Sequence, residues 1–375
     1  MSLSRRSLIA AGFATAGLAA LAGCSAGGST TPTAANDRVG ASLDDIIAKA
    51  KAEGKVQLIA YPEDWANYRG HFAEFKKKYG IETPVDNPEG SSAEELQAVK
   101  TLKGQPTQPD VLDIGYTFTG PAEKDKLIEA YKPSTFDDIP TDFKHPDGLW
   151  IAAYYGALSI GYDPAKADKP ATFKDLLDPK YKGKVALPGD PRSGASSIAT
   201  VFAASLANGG SLDDIQPGID YFAELAGNGN LVAINSVTSA LATGQAAVAF
   251  DWNYNFLGSM AELKTSGVNL EYFVPADGIY GNFYAQPVTI ESPNPNAARL
   301  WVEWLNSDEG AEQYALGGAI PTRFTKLAAD NKLSQEAMAN LPDPQVLANI
   351  QIPTIEQGEA AARTINQQWA SKVRY

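Results

Sequence analysis

The chain has 375 residues, a single cysteine and a formal charge of −13. That balance argues against a nucleic-acid partner, because phosphate neutralisation needs clustered Lys and Arg and no such cluster stands out. With 44% hydrophobic residues over this length there is material for two cores, and one cysteine excludes a disulfide within the molecule.

The chain opens with SRRSLI, then an apolar run to residue 21, then LAGC ending at Cys24. A twin-arginine pair, a short apolar run and a lipobox predict an export signal over residues 1–23. Cys24 is then first in the mature chain and carries lipid, anchoring the protein at the outer face of the cell membrane or in the periplasm. The run is too short for a comfortable membrane span. Residues 24–39 are rich in Ser, Thr, Gly and Ala, which predicts a flexible tether.

Ser42 is positioned to cap a helix that Gly54 stops, and residues 56–60 read as a strand running into Glu63, Asp64 and Trp65. The next helix has Phe72, Phe75 and Tyr79 on one face, with His71 read as a surface histidine among charged neighbours. A strand over 81–85 precedes a helix with a capping box from Ser92 to Glu95. Residues 111–118 form a buried strand that empties into Tyr116 and Thr117. Further strands fall at 158–162 and 185–187, with a short helix at 173–177 between them. The loop PGDPRSGASS, with Arg192, Ser193 and Ser196, opens the apolar helix 198–206, whose free N–H groups suit an anionic group. Ser236 caps a helix stopped by Gly244, and 246–250 is a buried strand followed by a polar, aromatic loop of Asp251, Trp252, Asn253 and Tyr254. Such strand-end loops are where open α/β sheets hold ligands. Trp301 and Trp304 fall at core spacing on a helix over 296–306, and a helix over 355–369 is expected to brace the second half.

Four segments, in this order, carry a resemblance: TFKDLLDPKYKGKVALPGDPRSG, ALATGQAAVAFDWNYN, VTIESPNPNAARLWVEWLNSDEGAEQYA and GAIPTR. The chain resembles the extracellular solute-binding proteins of ABC importers, in the branch with ferric-, thiamine-, phosphonate- and polyamine-binding members, over most of residues 55–325. The resemblance implies a two-lobed α/β fold of the type II periplasmic-binding-protein kind. Each lobe is then a doubly wound sheet, and hinge strands near Ser159 and Pro275 join the two. One lobe would take residues 40–155 and 276–322, the other 156–275 and 323–375. Such a protein closes on a small solute and hands it to a membrane permease; a monomer without cofactor or metal, and without catalytic activity, is expected.

The resemblance also implies solute contacts in five strand-end loops. These are Glu63, Asp64 and Trp65; Tyr116 and Thr117; Arg192, Ser193 and Ser196; Asp251, Trp252 and Tyr254; and Tyr284 with Gln286. The ferric branch carries two consecutive tyrosines and a first-loop histidine. Here Asn255 follows Tyr254, and His71 and His145 lie elsewhere. Aromatic walls with Glu63, Asp64 or Asp251 favour an organic cation such as a polyamine or a thiamine-like solute. Arg192 and the serines suit an aminophosphonate-type zwitterion. Ferric iron in the same fold is the alternative, and from another class an exported carboxylate-dependent glycosidase; no Gly-x-Ser-x-Gly or paired histidines point to other hydrolytic chemistry. Packing roles stay open as well: Trp252 and Tyr284 at a lobe interface, Asp251 as a cap, Arg192 paired with Asp190.

Overall fold

The computed structural model describes residues 38–374. The export signal, the lipobox with Cys24 and nearly all of the tether lie outside the described residues.

The helix Leu43–Glu53 begins where the Ser42 side chain accepts from the Asp45 N–H and ends at Gly54, whose φ of 75° is the left-handed stop that glycine permits. The capping box sits one residue earlier than expected, at Ser91 and Glu94. This frees Ser92 to accept from the Gly115 N–H and Glu95 to accept from the Asp113 N–H.

The architecture turns on one long strand, Tyr154–Tyr162. Its first half pairs antiparallel with Gly281–Ala285 and with Ile320–Pro321, and its second half with Val248–Trp252 and Glu271–Phe273. The strand therefore passes from one group of elements into another. On the far side Val248–Trp252 continues the sheet through parallel partners Val185–Ala186 and Leu231–Val232. On the near side Gly281–Ala285 pairs with Ile114–Gly115. Two small sheets, Leu58–Ile59 with Val85–Asp86 and Ile128–Glu129 with Val288–Thr289, complete that group.

Aromatic packing fixes the near side. Trp301 is fully buried, edge-on to Phe75 at 4.9 Å and stacked on Phe72 at 5.8 Å. His71 corrects the surface reading: it is fully buried, and its Nδ1 accepts from Trp304 Nε1 at 3.2 Å. Spacing explains the difference, because Tyr68, His71 and Phe75 share one helical face while the charged neighbours point away. Burial lowers the His71 pKa to about 3.

The C-terminal helix Ile355–Lys372 does more than brace one side. Trp369 meets Phe222 on the helix Gln216–Gly227, while Gly358 seats the Tyr116 ring near the other end. Among the described residues no helix is long and apolar enough to cross a membrane.

Candidate functional site

Where the two groups of elements face each other lies a cleft of about 270 Å³. One wall comes from residues after Leu58–Ile59, with Asp64 and Trp65, and from the start of the helix Ser92–Leu102, with Glu95. The other comes from the start of the helix Ala195–Ala207, from Asn235 to Thr238, and from Asp251 and Asn255. Tyr284 and Asp113 lie between them, and Glu89 is at the rim.

Of the residues expected from sequence, Asp64, Trp65, Ser196, Asp251 and Tyr284 come together in this lining. The others stand outside it. Glu63 is exposed and pairs with Arg69 at 2.8 Å. Arg192 is exposed and its Nε donates to Asp190 at 3.0 Å, holding that carboxyl below its usual range, while Ser193 leans on the Asp190 carbonyl. Tyr116 and Thr117 are buried, the Tyr116 hydroxyl turned toward Gly358 because residues 116–118 form a turn of 3-10 helix and not an open loop. Gln286 is buried as a brace, accepting from the Ala153 N–H and donating to Asp113 Oδ1 at 2.6 Å.

The segment after the buried strand also differs from the expected loop. The strand runs on to Trp252, and Asn253–Thr265 is a helix. The Asn253 side chain anchors this junction, accepting from the Ala157 N–H and donating to the Gly318 carbonyl. Trp252 and Tyr254 are consequently buried behind the lining, and Trp252 Nε1 donates to Ser196 Oγ at 3.1 Å. Asp251 does not cap the helix: it accepts from the Trp252 N–H and from Asn255 Nδ2, both at 2.8 Å.

Sequence reading missed Glu89, Glu95 and Asp113. A signal was present for Asp113, an acid in the middle of the apolar run VLDIG, since a charge in a buried strand needs partners. Its Oδ2 accepts from the Tyr68 and Tyr154 hydroxyls at 2.8 and 2.9 Å.

The lining thus carries five carboxyl groups, Asp64, Glu89, Glu95, Asp113 and Asp251, and no Lys or Arg. Their protonation follows. Burial lifts Asp251 to about 7, against two donors and with the Asp64 charge adding to the rise. Burial lifts Asp113 to about 6 despite its three side-chain donors. Glu95 is raised well above the usual range by burial and by Asp113, and Glu89 is raised by burial and then Asp64. Among the described residues no three His, Cys, Asp or Glu side chains gather closely enough to hold a metal ion.

A raised carboxyl binds protons more tightly in the folded state than in the unfolded one. Its contribution is complete below the unfolded pKa and is lost as pH rises through the folded value. From Asp251 alone the free protein should lose on the order of 4 kcal/mol between roughly pH 4 and pH 8. Thermal unfolding of ligand-free protein across that range checks this; the part due to Asp251 is the part that disappears in Asp251→Asn.

Residues 107–349 match the model of a family described as bacterial extracellular solute-binding protein. The chain belongs to this family. An uncharacterized protein of Haemophilus influenzae is 29% identical to this solute-binding protein over 253 residues, 64% of this chain and 69% of the relative. Iron uptake protein A1 of Synechocystis is 24% identical over 248 residues, 63% of this chain and 67% of its own. The structure is similar to that of the periplasmic binding protein AfuA from Actinobacillus pleuropneumoniae with exogenous fructose-6-phosphate bound. That likeness has a TM-score of 0.67 at 21% identity, covering 85% of this chain and 98% of AfuA. The expected type II fold is therefore the one found, and the chain is a bacterial extracellular solute-binding protein.

Proposed function

We propose that this solute-binding protein captures a small organic cation, a polyamine or thiamine-like solute, and delivers it to its permease. The observation that carries the reading is the lining of five carboxyl groups without a Lys or Arg. Acids whose pKa values are raised by burial and by one another are stabilised as anions by an incoming cation. Trp65 and Tyr284 add aromatic surface, their rings edge-on at 5.1 Å.

A second reading, an aminophosphonate-type zwitterion, is favoured by one feature. The helix Ala195–Ala207 opens at the cleft with no side-chain cap, and Ser197 Oγ is buried there without a hydrogen-bond partner. The amine would sit at the carboxylates and the anionic end at this helix start. Ferric iron, which the name of the Synechocystis relative suggests, is less well served. Burial raises the Tyr254 and Tyr284 phenols, which disfavours the phenolate form, and the side chain following Tyr254 is Asn255.

Export by the twin-arginine segment, a lipid anchor on Cys24 and a monomeric state belong to the same reading. So does a division into lobes at residues 40–155 with 276–322 and 156–275 with 323–375. The Tyr154–Tyr162 strand, whose two halves pair with different elements, supports a hinge near Ser159.

A thermal-shift panel of spermidine, putrescine, thiamine, 2-aminoethylphosphonate, fructose-6-phosphate and ferric citrate tests the solute class. A ligand at a hundredfold excess over its Kd stabilises by about 2.7 kcal/mol. Stabilisation by an amine-bearing compound is expected; stabilisation by the sugar phosphate or the ferric complex alone would overturn the reading.

A further inference from the structure

The Asp113 carboxylate joins elements that are far apart in sequence. Tyr68, on the helix Tyr68–Tyr79, and Tyr154, the first residue of the long strand, both donate to its Oδ2. Gln286, just after the strand Gly281–Ala285, donates to its Oδ1. The Asp113 N–H in turn donates to Glu95, tying in the helix Ser92–Leu102.

One of these bonds leads to the cleft wall. The Tyr154 hydroxyl, committed as a donor to Asp113, keeps its lone pairs for the Trp65 indole N–H, which reaches it at 2.7 Å. A phenol polarised by a carboxylate is a better acceptor, so the two bonds strengthen each other. Trp65 is the half-buried aromatic of the lining, and its ring edges meet Tyr254 at 5.4 Å and Tyr284 at 5.1 Å. A small rotation of the indole would thus change the shape of the wall.

We infer that Asp113 is a positioning residue, fixing the Trp65 indole as one wall of the cleft through the Tyr154 hydroxyl. The carboxylate, not merely the bulk of the side chain, is what this role needs. An amide of the same shape has one oxygen where the carboxylate has two, so Asp113→Asn cannot accept from Gln286 on one side and from both phenols on the other.

The test has a ligand-free arm and a ligand arm. Trp65 emission is isolated as the difference between each protein and its Trp65→Phe counterpart. It should move to longer wavelength in Asp113→Asn and equally in Tyr154→Phe, and the double variant should move no further. Trp65 emission unchanged in Asp113→Asn, or shifts that add in the double variant, would overturn the inference. Should Asp113→Asn fail to fold, Asp113→Ser, which also takes away the carboxylate that holds the Tyr154 hydroxyl, replaces it in the same comparison, and Trp65 emission unchanged in that variant would overturn the inference. The ligand arm rests on the organic-cation reading: spermidine binding should weaken about tenfold in Tyr154→Phe, with a Kd unchanged from wild type counting against the inference. If wild-type protein does not bind spermidine, the cation reading suffers, while the emission arm still decides the role of Asp113.

Discussion

Asp251→Asn should weaken binding of the proposed organic cation by about 3 kcal/mol, roughly a hundredfold in Kd. Asp251 is buried in the far wall with only two donors, the Trp252 N–H and Asn255 Nδ2, both directed at the same oxygen, Oδ1. Its second oxygen is thus available to a ligand, and an ammonium placed there would make a charge-assisted hydrogen bond in a site shielded from water. The amide keeps the local hydrogen bonds and removes the charge. The same change should stabilise the ligand-free protein above neutral pH, because it removes an anion that burial disfavours. Lower affinity together with higher stability of the free protein separates loss of a binding group from simple damage to the fold. Calorimetric titration and thermal unfolding of the one variant check both halves.

Gly115→Val should abolish most binding without unfolding the protein. Gly115 lies in a strand of the near side, and a Cβ there would come within 2.5 Å of the Ala195 Cβ at the first turn of a far-side helix. A second contact of this kind exists at Gly258, where a Cβ would lie 2.3 Å from the Asp64 carbonyl oxygen. At both positions the absent side chain is what lets the two walls meet. A valine at either would hold them apart at a cost of about 1–3 kcal/mol to the closed arrangement, an affinity loss of roughly 10- to 100-fold. Small-angle scattering should find that saturating ligand shrinks the wild-type protein but not Gly115→Val. Normal affinity and normal compaction in Gly115→Val would argue against hinge closure between these groups.

Much of this was legible in the sequence. The caps at Ser42 and Ser236, the glycine stops at Gly54 and Gly244 and the buried strand leading to Asp251 are local signals, and each is found. Tertiary contacts decided the rest. Whether Trp252 and Tyr254 face solvent depends on where the strand ends: it runs on to Trp252, and the Asn253 anchor to Ala157 and Gly318 starts a helix where a loop was expected. His71 is buried despite its charged neighbours because helical phase, not sequence adjacency, puts it on the same face as Tyr68 and Phe75. Tyr116 looked like a strand-end ligand contact, but a helix more than 200 residues later in the chain, with Gly358 at its first turn, covers the hydroxyl. Asp113 and Glu95 acquire meaning only once the fold sets them side by side in the lining of one cleft.

Capture of a cationic solute by the carboxylate-lined cleft is tested by titration calorimetry of the protein with spermidine, thiamine and 2-aminoethylphosphonate at pH values on either side of the Asp251 pKa of about 7. Binding favours the ionised carboxylate, so affinity should fall as pH drops below that value, by up to about tenfold per pH unit, and the pH dependence should flatten in Asp251→Asn. Tight binding of fructose-6-phosphate or ferric citrate that is indifferent to pH and to Asp251→Asn, with no heat from any of the amines, would contradict it.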